Sequence, residues 1–133
     1  MNMIDRLFAL RTTPPFDQLH EGELVLIAAA LRMRRYAPDE VLAVAGRSLR
    51  NMYLTADGVV TTASGAQLPR VFGAASLLFG TSVDETLRAG PEGCTCLLVR
   101  RAHFHTIVNE CPGLVVGLLR GSRELERELV EVA

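Results

Sequence analysis

The spacing of glycines in the middle of the chain limits the folds that this sequence can adopt. Residues 32–101 are interrupted by a glycine every seven to twelve residues, at Gly46, Gly58, Gly65, Gly73, Gly80 and Gly90. The segments between them contain strand-like runs, which are Met33–Tyr36, Val41–Val44, Met52–Thr55, Val59–Thr62, Glu85–Ala89 and Thr95–Val99. Many short strands separated by turn residues are typical of a β-sandwich or a β-barrel.

Two local patterns add detail to this zone. Asp57-Gly58 lies between two strand-like runs. This dipeptide favours a type I′ turn, in which both central residues need a positive φ, and so it predicts a β-hairpin. The Ala74–Leu78 stretch follows Gly73 and predicts a short helix that interrupts the strands.

The N-terminal zone, residues 3–31, has the periodicity of helices. Ile4, Leu7 and Phe8 recur at the spacing of one helical face, and Thr12–Pro15 then breaks the helix. A second helix follows, and its predicted apolar face comprises Leu24, Ile27, Ala28 and Leu31. A pair of helices is therefore expected before the first strand.

The C-terminal zone, residues 102–132, is also predicted to be helical, and Pro112 suits the first turn of a final helix. An apolar stripe with heptad-like spacing and one polar position follows, formed by Val115, Leu118, Ser122, Leu125, Leu129 and Val132. We expect this stripe to pair with a second copy of the chain in a homodimer. Two alternatives stay open: the helix folds back over the barrel as a lid, or it contacts a neighbouring domain.

Length and composition narrow the class of protein. The 133 residues predict one domain over 1–133, with helices at 3–31, a β-barrel at 32–101 and helices at 102–132. The net charge of −1 provides no bulk attraction to nucleic acid or to an anionic membrane. All 14 basic residues are Arg, which excludes lysine-based catalysis. The longest apolar run, Leu24–Leu31, is too short for a membrane helix, and a cytoplasmic location is expected.

Five pieces of the sequence, in order, resemble one family. They are Pro15–Leu19, Arg34–Leu42, Met52–Gly58, Phe72–Leu78 and Leu98–Phe104. Together they are similar to the entry turn, strands, cassette and exit of the cyclic-nucleotide-binding domain, the jelly-roll module of catabolite activator proteins, protein kinase A regulatory subunits and gated channels. The resemblance implies a mainly β jelly roll with an N-terminal helix pair and a long C-terminal helix. It also implies a non-catalytic regulatory domain of a larger protein.

The resemblance places the phosphate-binding cassette at Phe72, Gly73, Ala74, Ala75, Ser76, Ser82, Val83 and Asp84. The family has a ribose-binding Glu where Ala74 stands and a phosphate-binding Arg where Val83 stands. Asp84 adds a negative charge where the family has Ser or Ala. A buried phosphate monoanion needs a charge-assisted donor such as Arg. We therefore predict that ordinary cyclic AMP and cyclic GMP binding has been lost, and we expect no cofactor.

Two alternatives to a degenerate site remain. The first is a working sensor of a cyclic nucleotide or another anionic ligand, held by backbone N–H groups of the cassette helix and by Arg47 or Arg50. The second is an enzyme of the cupin type, which the missing H-x-H…E pattern disfavours. No catalytic residues are therefore predicted, and the expected partners are a protein or covalently linked domains.

Two other clusters have simpler interpretations. Cys94, Cys96, His103 and His105 are zinc-ligating residue types, but their spacing fits no known finger. Cys94 and Cys96 would share one strand face as core residues, and no metal site is predicted. Five arginines are interpreted as a solvated face rather than a nucleic-acid surface, and they are Arg32, Arg34, Arg35, Arg100 and Arg101.

Overall fold

The computed structural model describes residues 1–120. The first elements in chain order are α1 (Met3–Arg11), a 3₁₀ turn (Phe16–Gln18), α2 (Glu21–Ala30), β1 (Arg32–Tyr36), β2 (Val41–Ala43) and β3 (Asn51–Thr62). They are followed by β4 (Val71–Phe72), α3 (Ala74–Phe79), β5 (Leu87–Arg100), α4 (Arg101–Glu110) and α5, which begins at residue 112 and continues through residue 120. The predicted mainly β fold with flanking helices is confirmed.

The two N-terminal helices begin where side chains satisfy the free backbone N–H groups of a first turn. The amide of Asp5 donates to Oδ1 of Asn2 at 2.8 Å, and the amide of Asn2 donates to the carboxylate of Asp5. At the start of α2, the amide of His20 donates to the Glu23 carboxylate at 3.3 Å. These reciprocal caps define the helix starts locally.

The strands form one antiparallel sheet in the order β1-β5-β3-β4, with β2 paired to β5. The long strands β3 and β5 carry most of this pairing, which runs from Asn51 opposite Arg100 to Thr62 opposite Leu87 with two shifts of register. Each of them contains two of the strand-like runs that the glycines separate in the sequence. The barrel therefore has fewer and longer strands than the punctuation predicts.

The hairpin predicted at Asp57-Gly58 was wrong. β3 continues through this dipeptide, with Asp57 opposite Thr95 and Gly58 opposite Cys94, and the register shifts on either side of it. Gly58 does have a positive φ of 75°, and a Cβ there would lie 2.4 Å from the carbonyl oxygen of Gly93. The positive φ thus serves a bulge-like irregularity against β5 rather than a chain reversal.

Alternate side chains of β3 and β5 point to opposite sides of the sheet. Both strands have buried side chains on each of these sides. One side faces the helices and forms the helix-side core, which consists of Leu10, Phe16, Leu24, Ile27, Ala28, Leu31, Met52, Leu54, Ala74, Leu77, Leu97, Val99, Phe104, Ile107, Cys111, Leu114 and Leu118. The other side forms the roll interior, which consists of Tyr36, Leu49, Tyr53, Val60, Phe72, Leu87, Ala89, Cys94, Cys96 and Leu98.

The N-terminal helix does not bury the face that its periodicity suggests. The side chains of Ile4 and Phe8 are 75% and 68% exposed, and the fully buried residue of α1 is Leu10. The predicted face of α2, by contrast, is buried against the sheet. The apolar spacing in α1 correctly predicted a helix, but it did not identify which side packs.

The final helix contacts its own domain. Leu114 and Leu118 of α5 are buried in the helix-side core, and a Cβ at Gly117 would lie 2.5 Å from the Cβ of Pro15. Leu118, which we expected in a dimer stripe, is therefore an intramolecular contact within the described chain. Of the other stripe positions, Val115 is half-buried on α5, and Ser122, Leu125, Leu129 and Val132 lie outside the described residues.

Candidate functional site

A cavity of about 440 Å³ lies between the roll, the cassette and α5. All eight predicted cassette residues line it, namely Phe72, Gly73, Ala74, Ala75, Ser76, Ser82, Val83 and Asp84. Pro14 and Pro15 approach it from the N-terminal helices, and Gly117 and Leu118 approach it from α5. The cavity is thus built from parts of the chain that are distant in sequence.

The first half of the cassette is positioned by backbone geometry. Gly73 has a φ of 100°, and a Cβ there would lie 2.4 Å from the carbonyl oxygen of Asn51. Only glycine fits this close approach of the turn to β3. Phe72 stacks on Tyr53 with ring centroids 4.8 Å apart and planes inclined by 3°. These contacts place the start of α3 directly on the cavity wall.

The second half of the cassette pairs with the loop that follows β2. The amide of Val83 donates to the carbonyl of Arg47 at 2.9 Å, and the amide of Gly46 donates to the carbonyl of Val83 at 2.8 Å. Ser82 and Ser48 form an isolated antiparallel β-bridge next to this pair of hydrogen bonds. The Val83 amide is therefore already bonded within the protein rather than available to a ligand.

The two arginines that were expected to contact an anion, Arg47 and Arg50, are exposed and do not line the cavity. Arg70 does line it, and its Nε donates to the carbonyl of Thr55 at 3.2 Å. Sequence reasoning missed Arg70. The one available signal was a cation two residues before the cassette Phe72, in the segment between β3 and β4.

Two carboxylates also lie on the cavity lining. Asp84 is exposed, and within residues 1–120 its carboxylate has no hydrogen bond or ion pair. Glu85 is half-buried and accepts from the Ser64 amide at 2.9 Å and from the Ser64 hydroxyl at 3.1 Å. Counting Arg70, the lining carries one positive and two negative side chains. This balance disfavours a buried anion.

The remaining wall is largely apolar. Leu49, Leu68, Phe72, Leu87 and Leu118 line it. Two buried hydroxyls on the wall are satisfied internally: Thr13 Oγ1 donates to the carbonyl of Ala9 at 2.7 Å, and Ser76 Oγ donates to the carbonyl of Thr81 at 2.8 Å. A cavity of this size and chemistry falls within the range of small-molecule sites.

The cysteines are free thiols in the core. The Sγ atoms of Cys94 and Cys96 are 3.9 Å apart in the roll interior. Burial raises the pKa of Cys96 to about 12 and that of Cys111 to about 11, and it also raises the pKa of Cys94. Such thiols are protonated and unreactive at neutral pH. Within residues 1–120 no group of three or more metal-ligating side chains is found, and His103 and His105 are exposed on α4.

The five arginines that were interpreted as a solvated face, Arg32, Arg34, Arg35, Arg100 and Arg101, are exposed. Arg32, Arg34 and Arg35 lie on β1, an edge strand. The guanidinium of Arg34 stacks over the Tyr36 ring at 4.6 Å, and it also pairs with Glu40 at 3.6 Å. Charged side chains of this kind protect an open strand edge from pairing with other chains. Among the described helices, none has the length and apolarity needed to cross a membrane.

The overall fold is similar to those of solved structures. One is cAMP-bound PfPKA-R, with a TM-score of 0.80 and 18% identity over 98% of this chain. Another is the regulatory subunit of a cAMP-independent protein kinase A from Trypanosoma brucei, with a TM-score of 0.78 and 17% identity over 98% of this chain. This chain spans only about half of each, 47% and 53% respectively.

A third structure is similar in size as well as in fold. It is the N-terminal domain of a transcriptional regulator from Streptomyces coelicolor A3(2), with a TM-score of 0.65 and 20% identity over 93% of this chain and 94% of that one. No protein-family profile and no curated protein sequence matches the chain. The similarity therefore lies in the three-dimensional fold.

Proposed function

Because this chain has the fold of a cyclic-nucleotide-binding domain, we propose that it is a non-catalytic regulatory domain whose site does not bind ordinary cyclic AMP or cyclic GMP. It would act through covalently linked domains or a protein partner. A cytoplasmic location belongs to the same proposal and is supported by the three free, buried thiols. The similar structures include regulatory subunits of protein kinase A and a domain of a transcriptional regulator. They support a regulatory role for this domain as well.

The observation that carries this proposal is the charge of the cassette. Ala74 and Val83 provide no polar side-chain group, while Asp84 brings an unpaired negative charge to the cavity. A cyclic phosphate placed there would lose hydration without gaining a charge-assisted donor from a cassette side chain, because the cation on the cavity lining, Arg70, lies outside the cassette and already donates its Nε to Thr55. The Trypanosoma brucei protein, described as part of a cAMP-independent kinase, is an example of this fold in a cAMP-independent role.

Calorimetric titration of the purified chain with cyclic AMP, cyclic GMP and cyclic di-GMP tests the proposal. We expect no binding heat with any of them at ligand concentrations up to about 1 mM, which corresponds to a binding free energy weaker than about −4 kcal/mol. Micromolar binding of cyclic AMP or cyclic GMP would refute the degenerate site.

A second candidate function is a sensor of an anionic ligand through a non-standard cassette. The presence of Arg70 on the cavity lining favours it, because part of its guanidinium is not used by the bond to Thr55. If this candidate is correct, any cyclic nucleotide that binds should lose at least tenfold in affinity in Arg70→Gln. The matched control is Arg47→Gln, which removes a charge outside the cavity and should leave affinity unchanged.

We also propose a homodimer through the last helix, supported by the apolar stripe that continues from Leu118 to Ser122, Leu125 and Leu129. Sedimentation equilibrium at tens of micromolar should give twice the monomer mass. Leu125→Glu should return the mass to that of a monomer without changing the thermal midpoint. A monomer mass for the unmodified chain at that concentration would reject the dimer.

A further inference from the structure

We propose that the cavity binds a largely apolar ligand that carries no acidic group, and that Asp84 excludes acidic molecules from it. This inference rests on the proposed function, because it names the ligand class of the same regulatory site. It follows from three properties of the cavity, which are its walls, its satisfied polar groups and its unpaired carboxylate.

The walls can hold a ligand of substantial size. Leu49, Leu68, Phe72, Leu87 and Leu118 supply apolar surface from three different parts of the fold. Leu49, Leu87 and Leu118 are each less than a tenth exposed, so these side chains are held in place by the surrounding core. Even a cavity of about 150 Å³ with such a lining can stay free of water and bind a small aromatic molecule. The cavity of about 440 Å³ is nearly three times as large.

Most polar groups on the wall do not require a polar ligand. The hydroxyls of Thr13 and Ser76 donate to backbone carbonyls. The carboxylate of Glu85 accepts two hydrogen bonds from Ser64, and the Nε of Arg70 donates to the carbonyl of Thr55. An apolar ligand would therefore leave these groups bonded as they are, which avoids the usual penalty for burying an unpaired polar atom.

Asp84 and the rest of the Arg70 guanidinium are exceptions among the charged groups, and the excess of carboxylates over cations on the lining gives the site its selectivity. Within the described part of the chain the Asp84 carboxylate has no partner, and Arg70 forms no ion pair with Asp84 or with Glu85. An acidic ligand would add a third negative charge to a lining that already carries two carboxylates against the single guanidinium of Arg70. Unpaired like charges of this kind select against a ligand class rather than for one.

Two fluorescent probes with the same aromatic framework test the proposal. N-phenyl-1-naphthylamine is uncharged, and 1-anilinonaphthalene-8-sulfonate differs from it by one sulfonate. We expect the uncharged probe to bind with a dissociation constant at least tenfold lower than that of the sulfonate. Asp84→Asn should strengthen sulfonate binding by severalfold and leave the uncharged probe unchanged. Glu92→Gln is the matched control, since Glu92 is exposed on β5 outside the cavity, and it should change neither.

Variants that locate the bound probe complete the test. Ala75→Trp should weaken binding of the uncharged probe at least fivefold, because Ala75 lines the cavity and the indole would occupy it. Phe8→Glu should have no effect, because Phe8 belongs to the exposed face of α1 rather than to the cavity. Circular dichroism confirms that each variant is folded. If Ala75→Trp does not fold, a change in sulfonate affinity in Asp84→Asn but not in Glu92→Gln still locates the probe at the cavity, because Asp84 lines it and Glu92 does not.

The proposal is overturned if the uncharged probe does not bind, if the sulfonate binds equally well, or if Phe8→Glu abolishes binding. It is also overturned if Asp84→Asn and Glu92→Gln have equal effects on the sulfonate. These outcomes leave the proposed function intact as long as cyclic AMP and cyclic GMP give no binding heat. Failure of the proposed function is seen separately, in the calorimetric titration.

Discussion

The two sides of the same sheet differ in how completely they are filled. In the helix-side core, Leu97 of β5 is fully buried under α-helices. In the roll interior, Leu87 of the same strand is also buried, yet it borders the 440 Å³ cavity. The comparison indicates that one side of the sheet stabilises the fold by close packing, while the other side borders an open cavity. The predictions below test this difference.

The largest effect is expected in the helix-side core. Leu97→Ala should lower the free energy of unfolding by about 4 kcal/mol, because it leaves a void that the surrounding helices cannot close. Urea unfolding followed by circular dichroism measures this change. A loss of 1 kcal/mol or less would mean that this side of the sheet is not closely packed.

A smaller loss is expected for the identical change in the roll interior. Leu87→Ala should cost about 2 to 3 kcal/mol, because part of the Leu87 side chain already faces the cavity and has fewer neighbours to lose. The two variants share a strand and a substitution, so the difference between them reports on packing alone. Equal losses would contradict the contrast between the two sides.

Restoring the family residues of the cassette should change binding rather than packing. The triple variant Ala74→Glu, Val83→Arg and Asp84→Ser is expected to strengthen cyclic AMP binding at least tenfold, about 1.4 kcal/mol, because it supplies a charge-assisted donor and removes a repulsive charge. The double variant without Val83→Arg is the control and should gain less. A folded triple variant with no gain would mean that the cassette backbone has a different shape from that of the family.

The smallest effect is expected in the dependence of stability on alkaline pH. Burial raises the pKa of Cys96 in the roll interior to about 12 and that of Cys111 in the helix-side core to about 11. The folded protein therefore retains protons that the unfolded chain releases, and stability falls as the pH rises above the ordinary thiol pKa. The contribution is complete below about pH 8.5 and is lost through the folded values.

Matched cysteine variants isolate this contribution. Cys96→Ala should make the fall in unfolding free energy between pH 9 and 11 shallower, by on the order of 1 kcal/mol. Cys111→Ala should have a similar but smaller effect, because its shift is smaller. Urea unfolding at pH 8, 9, 10 and 11 measures both slopes. A slope in Cys96→Ala as steep as that of the unmodified chain would show that this thiol is not responsible.

Much of the site could be predicted because its signals are local. Phe72 and Gly73 are adjacent in sequence, and the positive φ that a glycine provides is required exactly where β4 turns into α3. The residues at Ala74, Val83 and Asp84 can be compared with the family position by position. Whether these residues bind a ligand is a property of the cavity and stays a prediction.

Other parts of the site could not be predicted, because they depend on contacts between distant segments. Arg47 pairs with the cassette through its backbone carbonyl, and the carbonyl of Arg50 accepts from the amide of Arg101, so neither side chain is placed on the cavity wall. Arg70 lies on the wall immediately before β4, where its Nε donates to the carbonyl of Thr55. The spacing of charges along the chain contains no information about which side of a turn faces inward.

The sequence by itself determined the succession of a helix pair, a β zone with one inserted short helix and C-terminal helices, and it determined which residues stand at positions 74, 83 and 84 of the cassette. These features follow from capping residues, from apolar periodicity and from residue identity, all of which act over a few neighbouring positions. Tertiary structure alone decided that β3 runs through Asp57-Gly58, that Ile4 and Phe8 stay exposed, and that α5 packs on Pro15 beside an apolar cavity. The physical reason is that each of these outcomes depends on a partner segment far along the chain, whose register and distance no local pattern encodes.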